Sequence, residues 1–174
     1  MDFLMIDTSS PHSFVALCKN GDLIIDHLPS MKQSQTLLPA IEKLLGKGSI
    51  DFIAIGTGPG SFTGTRVGVM AAKALAFSKK IPLLPFCSLK IYTPENEGPF
   101  TLCTDAKSLG FYKLDGEKSK TGTSYGKPYL SPRGAVSTTL NLSHLALFLQ
   151  EKFSQSAPLS HGEIKISYLL DLEQ

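Results

Sequence analysis

Cysteine is scarce in this chain and badly spaced for structural use. Cys18, Cys87 and Cys103 are an odd number with no CxxC pair, which excludes a disulfide scaffold and a cysteine-built zinc framework. Charge is thin too. Asp, Glu, Lys and Arg make up 18% of the 174 residues, against about a quarter in an ordinary domain. With a mean hydropathy of +0.06, part of the surface is expected to be covered by a protein partner rather than by water. A net charge of +2 carries no whole-chain polyanion signature. Long apolar runs are absent as well: none approaches the ~20 residues of a membrane span. Asp7 cuts the opening MDFLMID short of a signal-peptide core. The chain reads as reduced, cytoplasmic and without a membrane segment.

What is present is an ordinary globular content of apolar residues, 42%, which excludes disorder as a whole-chain description. Phe3-Leu4-Met5-Ile6 reads as a buried strand, Asp7 to Pro11 as a turn, and Phe14 to Leu17 as a second strand. Asn20-Gly21 is a strong hairpin signal before Leu23-Ile24-Ile25. Ser34 is the expected N-cap of a helix with Leu37, Leu38, Ile41, Leu44 and Leu45 on one face. Pro39 predicts a bend or a later start. A buried strand at Phe52 to Ile55, a helix from about Thr63 to Ser78 and a strand at Pro82 to Cys87 complete a β-β-β-α-β-α-β order.

Tyr92 to Pro99 reads as a linker, after which the pattern restarts with strands at Phe100 to Thr104 and Phe111 to Leu114. A hairpin or loop to Lys127, a helix around Leu145 to Leu149 and a closing strand at Ile164 to Leu170 follow. Asp7 and Asp105 each stand at a strand-turn-strand junction, which suggests an internally duplicated α/β protein. The expected division is 1–94 for the first lobe and 95–174 for a shortened second lobe.

The most informative stretch is the glycine-rich loop Gly56, Gly58, Pro59, Gly60, Ser61, Phe62, Thr63 and Gly64, between a strand and a helix. Phosphate and dinucleotide loops occupy that place. The Rossmann pattern fails because Ser61 stands at its third glycine, and no acidic residue occurs from Phe52 to Pro94. The Walker pattern fails for want of a Lys-Ser/Thr pair. Beyond the loop, Gly64, Gly68, Ala72 and Ala76 form a four-spaced stripe of small residues. Such a stripe suits close packing on the chain's own sheet or on another helix.

GTGPGSFTGTRVGVMAAKALA with IPLLPFCSLK, the opening FLMIDTSS, and QSQTLLPAIEKLL together resemble the bacterial TsaB (YeaZ) family. The likeness is strong over Phe3 to Leu89. Beyond that it rests on Asp105-Ala106 and Tyr168-Leu169, and Gln33 stands where the family commonly has His. The resemblance implies an actin-like, ribonuclease-H-like duplicated fold. It implies a non-catalytic subunit in making threonylcarbamoyladenosine, the modified adenosine next to the tRNA anticodon. The implied partners are a TsaD-like catalytic subunit, a TsaE-like ATPase, tRNA through the complex, and a second copy when the chain is alone. ATP and metal would belong to those partners. The implied pairing surface is the two helices, with Leu37, Ile41 and Leu45 on the first and Arg66, Val67, Met70, Lys73, Ala74 and Phe77 on the second.

Catalytic relatives place a His-x-x-x-His pair shortly after the next strand to hold a metal. Registered on Pro82-Leu83-Leu84, those places fall to Ser88 and Tyr92, with Lys90 at the carboxylate between them. His12, His27, His144 and His161 are scattered singly. The expected site is therefore empty of catalytic and metal-ligating residues. The competing readings are an actin-fold phosphotransferase using Asp7 and a metalloprotease-like hydrolase. The stretch Lys107 to Arg133, with Lys113, Lys118, Lys120 and Lys127 against Asp115 and Glu117, is a candidate contact for tRNA or a partner.

Overall fold

The opening meander forms as its turn chemistry dictates. In the computed structural model, which describes residues 1–29 and 32–155, β1 (Phe3–Asp7), β2 (Phe14–Lys19) and β3 (Asp22–His27) pair antiparallel. Asn20 and Gly21 take positive φ angles of 54° and 88°, the backbone that a two-residue hairpin needs and that Asn-Gly supplies at least cost. α1 (Gln33–Leu45) crosses to β4 (Phe52–Gly56), and α2 (Phe62–Lys79) crosses to β5 (Leu83–Phe86). The sheet order is β3-β2-β1-β4-β5, with β4 parallel to β1 and β5 parallel to β4.

Strand alternation loads both faces of this sheet with apolar side chains, as expected of strands covered on two sides. Leu4, Ile6, Val15, Leu17, Ile53 and Ile55 face α1 and α2. Phe3, Met5, Phe14, Ala16, Phe52 and Ala54 face the other way. There they meet Leu142, Leu145, Ala146 and Leu149 of α3 (Leu142–Gln155). Phe52 is the middle ring of a stack, 4.5 Å from Phe3 and 4.0 Å from Phe153.

The second sheet grows from β6 (Gly98–Asp105) and β7 (Phe111–Ser119), paired antiparallel from Gly98–Lys118 to Asp105–Phe111. β8 (Gly122–Tyr125) and β9 (Tyr129–Ser131) share the far edge of β7. Leu102 and Leu114 of this sheet enter the same core as Phe3 and Phe52. A 3-10 turn, Ser88–Tyr92, lies between the two sheets with Leu89, Ile91 and Tyr92 buried. Lys90 on that turn holds its ammonium 4.1 Å from the Tyr125 ring and 4.3 Å from the Phe148 ring. Burial there pushes its pKa down to about 8.

Three local expectations need correction. Ser34 does not cap α1: Lys32 occupies the cap position with a φ of 61° and no side-chain bond. Gln33 begins the helix, two residues earlier than a Ser34 cap would place it, and donates from Nε2 to the Ser13 hydroxyl at 2.7 Å, a tertiary contact that holds this start. The helix runs through Pro39 rather than starting after it; both Pro39 and Gln35, whose carbonyl loses its helical donor, are exposed. Tyr92 to Pro99 is not a linker, because Tyr92 and Thr93 are buried and Gly98-Pro99 already belongs to β6. The hairpin expected on the way to Lys127 forms, as β7 and β8. The closing strand at Ile164 to Leu170 lies outside the described residues.

The small-residue stripe resolves onto the chain's own body. Gly64, Gly68, Ala72 and Ala76 are all buried. A Cβ on Gly64 would run into the Thr8 carbonyl oxygen, and one on Gly68 into the Thr8 hydroxyl. Gly64→Ala should therefore destabilise the chain by roughly 1–3 kcal/mol through overpacking, although alanine is the better helix former. Ala74→Gly, on the exposed flank, should cost about 1 kcal/mol through propensity alone. Urea midpoints of both variants check this; a Gly64→Ala as stable as the parent would show that the turn and helix are not in tight contact.

Candidate functional site

Gly56 and Gly60, at the two ends of the loop between β4 and α2, are each matched to a neighbour that leaves no room for a side chain. A Cβ at Gly56 would meet the Asp7 carboxyl and the Ser88 hydroxyl; one at Gly60 would meet the Ser9 backbone. Gly58, at a φ of 93° before a cis Pro59, donates its N–H to the Ser88 hydroxyl at 3.0 Å, while its carbonyl accepts from Ser88 N–H at 2.9 Å. Ser61 N–H donates to the Ser9 carbonyl at 2.6 Å. The Ser61 hydroxyl caps α2 by accepting from Gly64 N–H at 3.2 Å, as an N-cap serine does. The backbone approach that such loops give to phosphates elsewhere goes here to the β1–β2 turn. Phe62 and Thr63 point outward, and the Arg66 guanidinium lies 3.7 Å over the Phe62 ring.

Asp7 sits beneath this contact, fully buried. Its Oδ1 accepts from Ser9 N–H and from the Ser9 hydroxyl, both at 2.7 Å. Among the described residues its Oδ2 has no partner in hydrogen-bonding geometry. Burial pushes the carboxyl's pKa upward, against the lowering effect of the Ser9 and Ser88 hydroxyls. Asp105 repeats the turn at the end of β6, accepting Lys107 N–H at 2.7 Å. It is exposed, its carboxylate held below the usual range chiefly by that backbone bond, and it pairs with the Lys107 ammonium at 3.2 Å. The two turns face one another across a cavity of about 440 Å³ that Ser10, Gln33, Ser61 and Tyr112 also line. One carboxyl is buried and the other is solvated, so the repeated turn is a shared scaffold with two electrostatic outcomes.

The positions registered for a metal pair lie on the 3-10 turn. Ser88 is bonded to the glycine loop, and Tyr92 is buried with its ring edge-on to His12 at 6.0 Å between centroids. Lys90 is held by the two rings described above. Among the described residues no group of three or more His, Cys, Asp and Glu side chains is placed to hold a metal ion. His161 lies outside the described residues.

Of the residues expected to face a partner, the structure brings only some to the surface. Met70 is 66% and Phe77 76% exposed, and Arg66 and Ala74 are exposed beside them; Val67 and Lys73 are half-buried. Leu37, Ile41 and Leu45 require correction: all three are buried in the chain's own core against β2, β4 and α2. Helical periodicity identifies an apolar stripe without saying which body covers it. Leu38, counted with the core face in the sequence, is 59% exposed. It was visible as a leucine in an apolar helix; its direction was not. The Lys107 to Arg133 cations do not form one face. Lys118 donates to the Pro94 carbonyl at 2.9 Å, Lys113 is half-buried, and Lys107 pairs with Asp105.

A family model described as TsaD, tRNA N6-adenosine threonylcarbamoyltransferase, matches residues 27–127. The chain belongs to this family, on its TsaB (YeaZ) side. It is 37% identical over 95 residues to the tRNA threonylcarbamoyladenosine biosynthesis protein TsaB of Haemophilus influenzae, covering 51% of this chain and 40% of that one. Bacillus subtilis TsaB is 34% identical over 97 residues, covering 52% and 42%. The matched region thus spans less than half the length of these curated relatives. An uncharacterized protein of Mycobacterium tuberculosis H37Rv is 25% identical over 171 residues, 91% of this chain and 81% of that protein. The solved structure of YeaZ from Pseudomonas aeruginosa superposes with a TM-score of 0.84 at 20% identity, covering 97% of this chain and 99% of that one. The fold is actin-like, and the chain's relatives act in biosynthesis of a modified tRNA nucleoside. No helix among the described residues is long and apolar enough to cross a membrane.

Because the folded state raises the pKa of Asp7, the carboxyl favours folding below its unfolded pKa and opposes it as pH rises through the folded value. Asp7→Asn keeps a carbonyl for Ser9 and carries no charge. It should match the parent near pH 4 and become the more stable of the two as pH rises to 7 to 8. Chemical denaturation across that pH range tests the sign; an Asp7→Asn whose deficit grows with pH would mean that the native carboxylate is stabilised.

Proposed function

We propose that this chain is a non-catalytic scaffold and activator subunit that pairs with a TsaD-like catalytic subunit in the threonylcarbamoylation of tRNA adenosine. The observation that carries this reading is the division of α2. Its small-residue side is buried on the chain's own sheet, while the opposite flank shows Met70, Ala74 and Phe77 to solvent. Leu38 on α1 adds a further exposed apolar side chain. In a chain with 18% charged residues, an apolar flank of this kind fits a protein partner. Met suits it, since its thioether adapts to different surfaces.

The same reading makes the chain a pseudoenzyme. The glycine loop is packed against Thr8, Ser9 and Ser88, and Ser88, Lys90 and Tyr92 stand where catalytic relatives hold a metal. ATP and metal then belong to the partner subunits, among them a TsaE-like ATPase, and tRNA is met through the complex. A second copy covers the α2 flank when the catalytic subunit is missing. The work is cytoplasmic, and the part beyond residue 94 acts as a short second lobe.

Burying one methionine stabilises association by roughly 1.5–3 kcal/mol, so Met70→Asp should weaken pairing at least about tenfold. Circular dichroism should leave the fold unchanged, since the side chain is mostly exposed. Size exclusion with the organism's TsaD-like protein reads the pairing; a folded Met70→Asp that pairs at parental affinity would remove α2 from the interface. The pseudoenzyme reading has its own test. The purified chain should hold no stoichiometric zinc or iron and hydrolyse neither ATP nor peptides, and metal found at one equivalent would overturn it.

A further inference from the structure

α2 carries no acidic residue anywhere between Phe62 and Lys79. Its exposed flank is basic as well as apolar, and the two characters alternate. Arg66, Met70, Lys73 and Phe77 follow one another at spacings of four, three and four. At 3.6 residues per turn these four side chains fall within an arc of about 60°. Met70, Phe77 and Arg66 are exposed, and Lys73 is half-buried along the helix surface. A lysine laid over a helix in this way keeps its stem on apolar surface and its charged head at the rim.

The neighbouring helix does not neutralise this flank. α1 and α2 start side by side, where Lys32, Gln33 and Ser34 share one small cavity with Ser61, Thr63, Gly64 and Val67. They pack on the same face of the first sheet. Together they hold four cations, Lys43, Arg66, Lys73 and Lys79, against one carboxylate, Glu42. Lys43 pairs with Asp26 of β3 at 2.9 Å, which leaves the balance on α2 unchanged. A second copy of this chain would bring the same cationic seam, with only Glu42 on these helices to set against it. A surface bearing Asp or Glu side chains would meet Arg66 and Lys73 with opposite charge.

We propose that the α2 flank selects its partner by charge: it takes a helical face on which Asp or Glu side chains alternate with apolar ones, and it disfavours a second copy of this chain. This inference rests on α2 being the pairing surface, as proposed above. Apolar contact through Met70 and Phe77 supplies the attachment, while charge steers the encounter and separates the two assemblies. Self-pairing is then the weaker assembly, formed when the catalytic subunit is missing. The consequence is a salt dependence of opposite sign. The screening length falls from about 30 Å at 0.01 M to about 3 Å at 1 M, so salt weakens pairing with an acidic face and relieves repulsion between copies.

The test measures pairing of the full chain with the organism's TsaD-like subunit, and self-association of the chain alone, by sedimentation velocity from about 20 to about 500 mM NaCl. Pairing should weaken at least about threefold across that range, and self-association should not weaken. At the lowest salt, Lys73→Glu should weaken pairing at least about fivefold and tighten self-association, since the new carboxylate meets Arg66 of the other copy. Lys120→Glu makes the same charge change on the exposed turn between β7 and β8 and should leave both assemblies as in the parent. Circular dichroism checks the fold; should Lys73→Glu misfold, Lys73→Gln removes the charge alone and should weaken low-salt pairing about twofold or more. Pairing that is indifferent to salt or tightens with it overturns the selection by charge and leaves α2 as the interface. So does a folded Lys73→Glu that pairs like the parent, or an equal loss in Lys120→Glu. Absence of pairing at every salt concentration overturns the reading of α2 as the interface, and this inference with it.

Discussion

The contact between the β1–β2 turn and the start of α2 sets the rest of this structure. Thr8 donates its hydroxyl to the Gly64 carbonyl at 2.6 Å, and the Ser9 carbonyl accepts Ser61 N–H at 2.6 Å. Such closeness is possible only because Gly60, Gly64 and Gly68 carry no side chain toward the turn. It draws α2 down onto β1 and β4, buries the small-residue stripe, and so turns Met70 and Phe77 outward. One steric constraint thus fills the interior and prepares the surface.

The 3-10 turn from Ser88 to Tyr92 is the second organising element. Ser88 bonds the glycine loop, Thr93 shares a 2.9 Å hydrogen bond with the Tyr125 hydroxyl, and the Ile91 carbonyl takes the N–H that precedes α3. Lys90 spans to β8 and α3 through the Tyr125 and Phe148 rings. A cation held by ring faces needs no carboxylate beside it, which agrees with a stretch from Phe52 to Pro94 that contains no acid. The two sheets meet through this turn, and the core of the first is completed by residues of the second.

Much of the fold could be read from sequence because its signals are local. Asn20-Gly21 fixes a hairpin, the apolar runs of β1 and β4 mark strands with two covered faces, and the breaker-free run after Gly68 extends a helix. The errors fall where tertiary contacts override such signals. Gln33 begins α1 because Ser13 lies across from it, and Gly98-Pro99 joins β6 because Lys118 and Glu117 of β7 lie across from it. The site was less legible. Periodicity grouped Leu37, Leu38, Ile41 and Leu45 as apolar, but only the position of β2 and α2 separates the three that fill the core from the one that does not.

The central claim is that the exposed flank of α2 is covered by another protein. It is tested most directly by hydrogen-exchange mass spectrometry of the chain with and without the organism's TsaD-like subunit, together with the oxidation rate of Met70. The account predicts slower exchange across Phe62–Lys79 and Met70 shielded from oxidation in the complex, with β7 and β8 unchanged. Protection confined to the second sheet, with Met70 oxidised as fast in the complex as in the free chain, would contradict it.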